Sequence, residues 1–113
     1  MSDGVISPLA DAMNRLWDKH LPQMEERVAT LQSAAKRMAS GTITHDEQQR
    51  AIADAHKLAG VLGTFGLKDG TELAREAEGI FDSDLHAAAD TAPRLSLIAE
   101  QLTAMIANRT RLS

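Results

Sequence analysis

Residues 55–67, Ala55-His56-Lys57-Leu58-Ala59-Gly60-Val61-Leu62-Gly63-Thr64-Phe65-Gly66-Leu67, decide how the chain is read. At about 100° per residue, Ala55, Leu58, Leu62 and Phe65 fall on one arc, the pattern of a helix with one buried face. His56 and Lys57 point away from that arc, Gly60 lies almost opposite it, and Gly63 falls on the side that His56 occupies. A glycine inside a helix costs about 1 kcal/mol relative to alanine, so two in one helix need an offsetting reason. Access supplies one: with no side chains at 60 and 63, another surface can approach the imidazole of His56. Gly66 is placed to end the helix in the left-handed region, and Leu67 to make the apolar contact that follows such a cap.

Moving outward, Thr44-His45-Asp46-Glu47 is a capping box that opens this helix, with Thr44 as the cap and Glu47 reaching back to it. Upstream, Met24, Val28, Leu31, Ala35 and Met38 recur in alternating steps of four and three, a bundle seam, and Ser40-Gly41 closes it. Ser7-Pro8 signals an earlier helix start. It is followed by an apolar stripe of Leu9, Ala12, Met13, Leu16 and Trp17 up to about His20. Pro22 cannot supply an interior hydrogen bond, so it either restarts a helix or marks a bend, and the helices are divided there. Downstream, Asp69-Gly70-Thr71-Glu72 opens a helix with the buried line Leu73, Ala77, Ile80 and Phe81. Asp82 to Asp90 reads as the longest connection, with a helical turn at Leu85 to Ala89, and Pro93 stands near the start of a last helix striped by Leu95, Ile98, Leu102, Met105 and Ile106. The expected fold is all-α: an antiparallel four-helix bundle with a short additional N-terminal helix, as one domain over 1–113. The helices fall at about 8–20, 22–40, 45–65, 69–82 and 91–110, and the short connections favour antiparallel neighbours.

His56-x-Leu58-x-Gly60 followed by Gly66-Leu67 resembles the signature of histidine phosphotransfer (HPt) domains, the intermediate carriers of multistep two-component phosphorelays. The resemblance continues through Thr71-Glu72-Leu73-Ala74-Arg75-Glu76-Ala77-Glu78, the next helix in that family, and more loosely covers nearly the whole chain. It implies that His56 accepts a phosphoryl group from a receiver-domain aspartate and passes it to another receiver. It also implies that no cofactor is bound by this domain and that the receiver brings the Mg²⁺. The implied partners are response-regulator receivers and a hybrid histidine kinase. One departure stands out: many members carry Lys three residues after the phosphorylated His, where this chain has Ala59.

Composition narrows the alternatives. The chain of 113 residues has no cysteine, which excludes disulfides and thiolate metal sites and fits a cytoplasmic location. No apolar run approaches the ~20 residues that span a bilayer, and the start Met1-Ser2-Asp3-Gly4 lacks the pattern of a signal peptide. A formal net charge of -4 argues against a nucleic-acid partner, as do aromatic residues limited to Trp17, Phe65 and Phe81. The four stripes match what one bundle buries internally, so a monomer is expected.

Imidazole suits phosphoryl transfer because its neutral form keeps a nucleophilic nitrogen near neutral pH, and such transfer rests largely on positioning and charge stabilisation. Lys57 has two readings, a counter-charge for the phosphoryl group or a solvated surface lysine. Ala53, Gly60, Gly63 and Thr64 are assigned to the docking face around His56, with helix packing as the second reading of Gly63. Glu72, Arg75, Glu76 and Glu78 read as a solvated helix face or the border of that docking surface. Met13, Met24, Met38 and Met105 read as core. His45 and His20 look ordinary, and His86 with Asp90 makes an incomplete metal ligand set. Two rivals stand beside the phosphocarrier. A histidine kinase lacks its glycine-rich nucleotide loop here, and Lys57 follows His56 where kinase dimerisation domains usually carry an acidic residue. The other rival is a helical docking module that carries no phosphate.

Overall fold

The described residues of the computed structural model form four helices: α1 (Pro8–Ala39), α2 (His45–Thr64), α3 (Lys68–Phe81) and α4 (Ala88–Ala107). It describes residues 7–83 and 88–109, the side chains of 88–90 excepted. Each helix packs on its neighbour in sequence and α4 returns to α1, closing a four-helix bundle. The core is aliphatic, with Met24, Leu58, Leu62, Leu95, Ile98 and Leu102 fully buried around Phe81. No helix among the described residues is long and apolar enough to cross a membrane.

The separate N-terminal helix is not seen. α1 runs unbroken for 32 residues with Pro22 inside it. The reason lies in the phase of its buried stripe. Ala10, Asn14, Trp17, Leu21, Met24, Val28, Leu31, Ala35 and Met38 alternate in steps of four and three from end to end, with no slip at the proline. Pro22 is exposed, so its missing N–H and its ring fall on the solvent side, where a helix tolerates them best. The same phase overturns part of the expected first stripe: Leu9 and Leu16 are exposed, whereas Ala10 and Asn14 are buried.

The ends of the helices follow their local chemistry. Ser7 Oγ accepts from the Ala10 amide at 3.0 Å. Gly41 (φ 70°) and Gly66 (φ 74°) adopt the left-handed conformation, and each completes a Schellman cap. In the first, Thr42 N–H donates to the Arg37 carbonyl and Gly41 N–H to that of Met38; in the second, Leu67 N–H donates to Leu62 and Gly66 N–H to Gly63. α3 starts one residue before the expected Asp69, with Leu67 in the N-cap position and no side-chain cap. Its buried line is Ala74, Ala77 and Phe81, with Leu73 and Ile80 half-buried beside it. α4 begins at Ala88, earlier than 91, with Pro93 in its second turn. Leu85 and His86, which belong to the expected helical turn and metal pair, lie outside the described residues.

Where α1, α2 and α4 meet, Trp17 packs edge-on against Phe65 with ring centroids 5.1 Å apart. The Arg109 guanidinium stands 4.4 Å from the Trp17 ring centroid. This cluster fixes the C-terminal end of α2, just as Arg27–Asp54 (3.8 Å, both largely buried) ties its middle to α1.

Candidate functional site

His56 lies midway along α2, a helix held at both ends. Thr44 Oγ1 accepts from the Glu47 amide at 3.1 Å while the Glu47 carboxylate accepts from the Thr44 amide at 2.9 Å. That capping box lowers the Glu47 pKa, chiefly through the Thr44 backbone hydrogen bond. The opposite end is the Gly66 cap, and Ala51, Ala55, Leu58, Ala59 and Leu62 seat the inner face. With backbone and floor fixed, the imidazole is presented outward and its side chain is 75% exposed.

One ring nitrogen has a partner. His56 Nδ1 lies 3.2 Å from Oε2 and 3.4 Å from Oε1 of Glu78 on α3. An ionised carboxylate only accepts, so the hydrogen sits on Nδ1 and donates to Glu78. In the neutral ring this leaves the lone pair on Nε2, the nitrogen away from α3.

The glycines divide into distinct roles. A Cβ at Gly60 would meet nothing within 4 Å, so the surface one turn from His56 is open. A Cβ at Gly63 would come 3.3 Å from Thr71 Oγ1, so there the bare backbone also lets α3 approach α2. Thr71 uses that approach, donating its hydroxyl to the buried Ala59 carbonyl at 3.0 Å. The tightest of the three is not marked in the sequence: a Cβ at Gly70 would sit 2.8 Å from Met105 Sδ and 3.0 Å from Leu62 Cδ1. Met105 belongs to α4, too distant in sequence to leave a local signal. Ala53 and Thr64 are exposed on the same side of α2 as Gly60, and the Thr64 hydroxyl donates to the Gly60 carbonyl at 3.1 Å.

The charged set on α3 is not one uniform solvated face. Glu78 serves His56, whereas Glu76 takes a two-bond pair from Arg94 of α4, with Nη2–Oε1 at 2.7 Å. The Arg94 hydrogen bond lowers the Glu76 pKa, and the same bond raises that of Arg94. Glu76 and Arg94 line a cleft of about 710 Å³ between α3 and α4, with Leu73 and Met105, on the flank of α3 away from His56. Arg75 and Lys57 are exposed. Ala59, where many HPt domains carry lysine, is 5% exposed, so this chain has no cation at that place. His45 begins α2 on the surface, and His20 packs edgewise on Phe65 at 6.4 Å. No group of three or more metal-ligating side chains occurs among the described residues.

Residues 15–108, most of the chain, match the Hpt domain family. The chain belongs to this family. As an Hpt domain, it takes part in histidine phosphotransfer within phosphorelays, in a family of phosphocarriers that work with receiver domains and kinases. Protein RcaC of Microchaete diplosiphon is 33% identical over 66 residues, which are 58% of this chain and 10% of that protein. The Hpt domain thus matches only a small part of its curated relative's length. No solved structure matches it.

Proposed function

We propose that His56 is the phosphoryl-accepting residue, charged by the aspartyl phosphate of one receiver domain and discharged to the aspartate of another. The observation that carries this reading is the pairing of an outward imidazole, 75% exposed and held through Nδ1 by Glu78, with the open surface at Gly60. The Nε2 lone pair attacks phosphorus, the N–P bond forms, and the acyl-phosphate P–O bond breaks. The electron pair leaves with the receiver carboxylate. No proton has to move. The product is an N-phosphorylated imidazolium whose Nδ1–H remains on Glu78, so the positive charge that develops on the ring meets a carboxylate already in place. In the reverse direction a receiver carboxylate attacks phosphorus and the imidazole departs neutral. The receiver supplies the Mg²⁺ that shields the phosphoryl oxygens. The domain itself supplies a positioned nucleophile on a face with room for a partner, and acts as a monomer without ATP-dependent kinase activity.

The test is to incubate the domain with a phosphorylated receiver, and separately with ATP alone, then look for acid-labile label. Label arriving from the receiver and not from ATP supports the phosphocarrier. Label from ATP alone contradicts it, and no label from any phosphorylated receiver leaves the docking module.

A further inference from the structure

Transfer to His56 creates an electrostatic problem that the site as described does not solve. The phosphoryl group brings about two negative charges to a ring whose other nitrogen already faces the Glu78 carboxylate. The imidazolium offsets one charge only. Ala59 holds no cation, and its carbonyl is occupied by Thr71. When no receiver is docked, a cation from a neighbouring position would offset the rest, and Lys57 on α2 and Arg75 on α3 are the exposed candidates.

The contacts between α2 and α3 decide between them. The two helices run antiparallel, and two of their contacts flank Gly60. Thr71 reaches Ala59 and the bare backbone of Gly63, and Glu78 reaches His56. Arg75 is four residues after Thr71 and three before Glu78. It therefore lies on nearly the same helix face, between the two contacts and level with the turn from His56 to Ala59, beside Gly60. Arg75 is exposed, and the space above Gly60 is empty to at least 4 Å around a Cβ. That opening leaves room for a long side chain to lie over the glycine toward His56. Lys57 is turned about 100° around α2 from His56, toward the flank where Asp54 meets Arg27 of α1.

We propose that Arg75 is the phosphoryl-binding cation of this domain: its guanidinium lies over the bare surface at Gly60 and pairs with the phosphoryl oxygens when His56 carries the group. The planar fork of arginine matches two phosphoryl oxygens at once. On this account Gly60 has a second use beyond partner access, as the floor across which Arg75 reaches. The proposal rests on His56 being the acceptor.

The experiment uses the full chain in two arms, with R75A, R75K and K57A beside wild type. In the first, the domain is phosphorylated with phosphoramidate, with no receiver present, and the phosphohistidine resonance is followed by ³¹P NMR together with its rate of hydrolysis. R75A should move the resonance and change the lifetime, whereas K57A should leave both as in wild type. In the second arm, transfer from a phosphorylated receiver should slow by about 10-fold or more in R75A, as for loss of one charge-stabilising donor. R75K should recover most of that rate, and thermal melts of all variants should superimpose. An R75A protein with an unmoved resonance and a wild-type transfer rate would overturn the proposal, as would a loss confined to K57A. Failure of the underlying reading looks different: wild type itself then takes no label on His56 from either donor.

Discussion

Glu78 holds His56 across the α2–α3 interface, its Oε2 3.2 Å from Nδ1, although the two residues are 22 positions apart in the chain. The contact sets the tautomer of the ring and leaves Nε2 as the nucleophile. Glu78→Ala should therefore slow phosphotransfer without unfolding the bundle. His56 is 75% exposed and Glu78 31% exposed, so solvent screening limits the pair to roughly 1 kcal/mol, or about 5-fold in rate. Glu78→Gln should lie between, since its amide oxygen still accepts from Nδ1–H but carries no charge. Transfer kinetics of the two variants against wild type check the order; equal rates in all three would remove Glu78 from the mechanism.

The two glycines that flank the approach to His56 should respond oppositely to a side chain. Gly60 faces open space, so Gly60→Ala should raise stability by up to about 1 kcal/mol through helix propensity. Gly60→Leu should remain folded yet transfer poorly, because it fills the surface a receiver must cover. Gly63→Leu meets Thr71 Oγ1 and threatens its bond to Ala59, so it should destabilise by about 1–3 kcal/mol. Circular dichroism melts run beside transfer rates separate the two effects. A folded Gly60→Leu protein that transfers normally would show that this surface is not covered by the receiver.

Much of this site was legible because its determinants are local. The capping box at Thr44, the cap at Gly66 and the outward His56 each follow from residues within a turn or two of one another. Glu78 was not legible as a partner, since only the antiparallel packing of α3 on α2 brings it to the imidazole. The same applies to Gly70, whose constraint comes from Met105 on α4 and Leu62 on α2. α1 illustrates a different failure. Pro22 is a strong local signal for a boundary, but the four-three stripe passes through it in phase, and burying that continuous stripe outweighs one lost hydrogen bond on the solvent side. Reading the stripe from Leu9 rather than Ala10 concealed the continuity.

Acid should weaken the fold through the carboxylates that gain partners in it. The pKa values of Glu76 and Glu47 are both lowered, the first by Arg94 and the second by the Thr44 cap. A lowered folded pKa means that the unfolded chain binds more protons, so stability rises with pH. Their contribution is complete above the unfolded glutamate value of about 4.3 and disappears as the pH falls through the lower folded values. Both side chains are partly exposed to solvent, which keeps the effect small. The thermal midpoint should therefore hold from neutral pH to about pH 5 and drop below about pH 4. Glu76→Gln should flatten part of that drop, and an unchanged acid limb in this variant would remove the Arg94 pair from the explanation.

Whether His56 is the acceptor is read most directly from the fate of label in His56→Gln. Wild type and variant are incubated with a phosphorylated receiver, and acid-labile phosphate is located by peptide mapping under alkaline conditions. Wild type should carry label on His56 alone, and His56→Gln should carry none. The variant should melt at nearly the same temperature, since a surface substitution moves stability by about 0.5 kcal/mol or less. Label that persists in His56→Gln, or that maps to His20, His45 or His86 in wild type, would contradict the assignment.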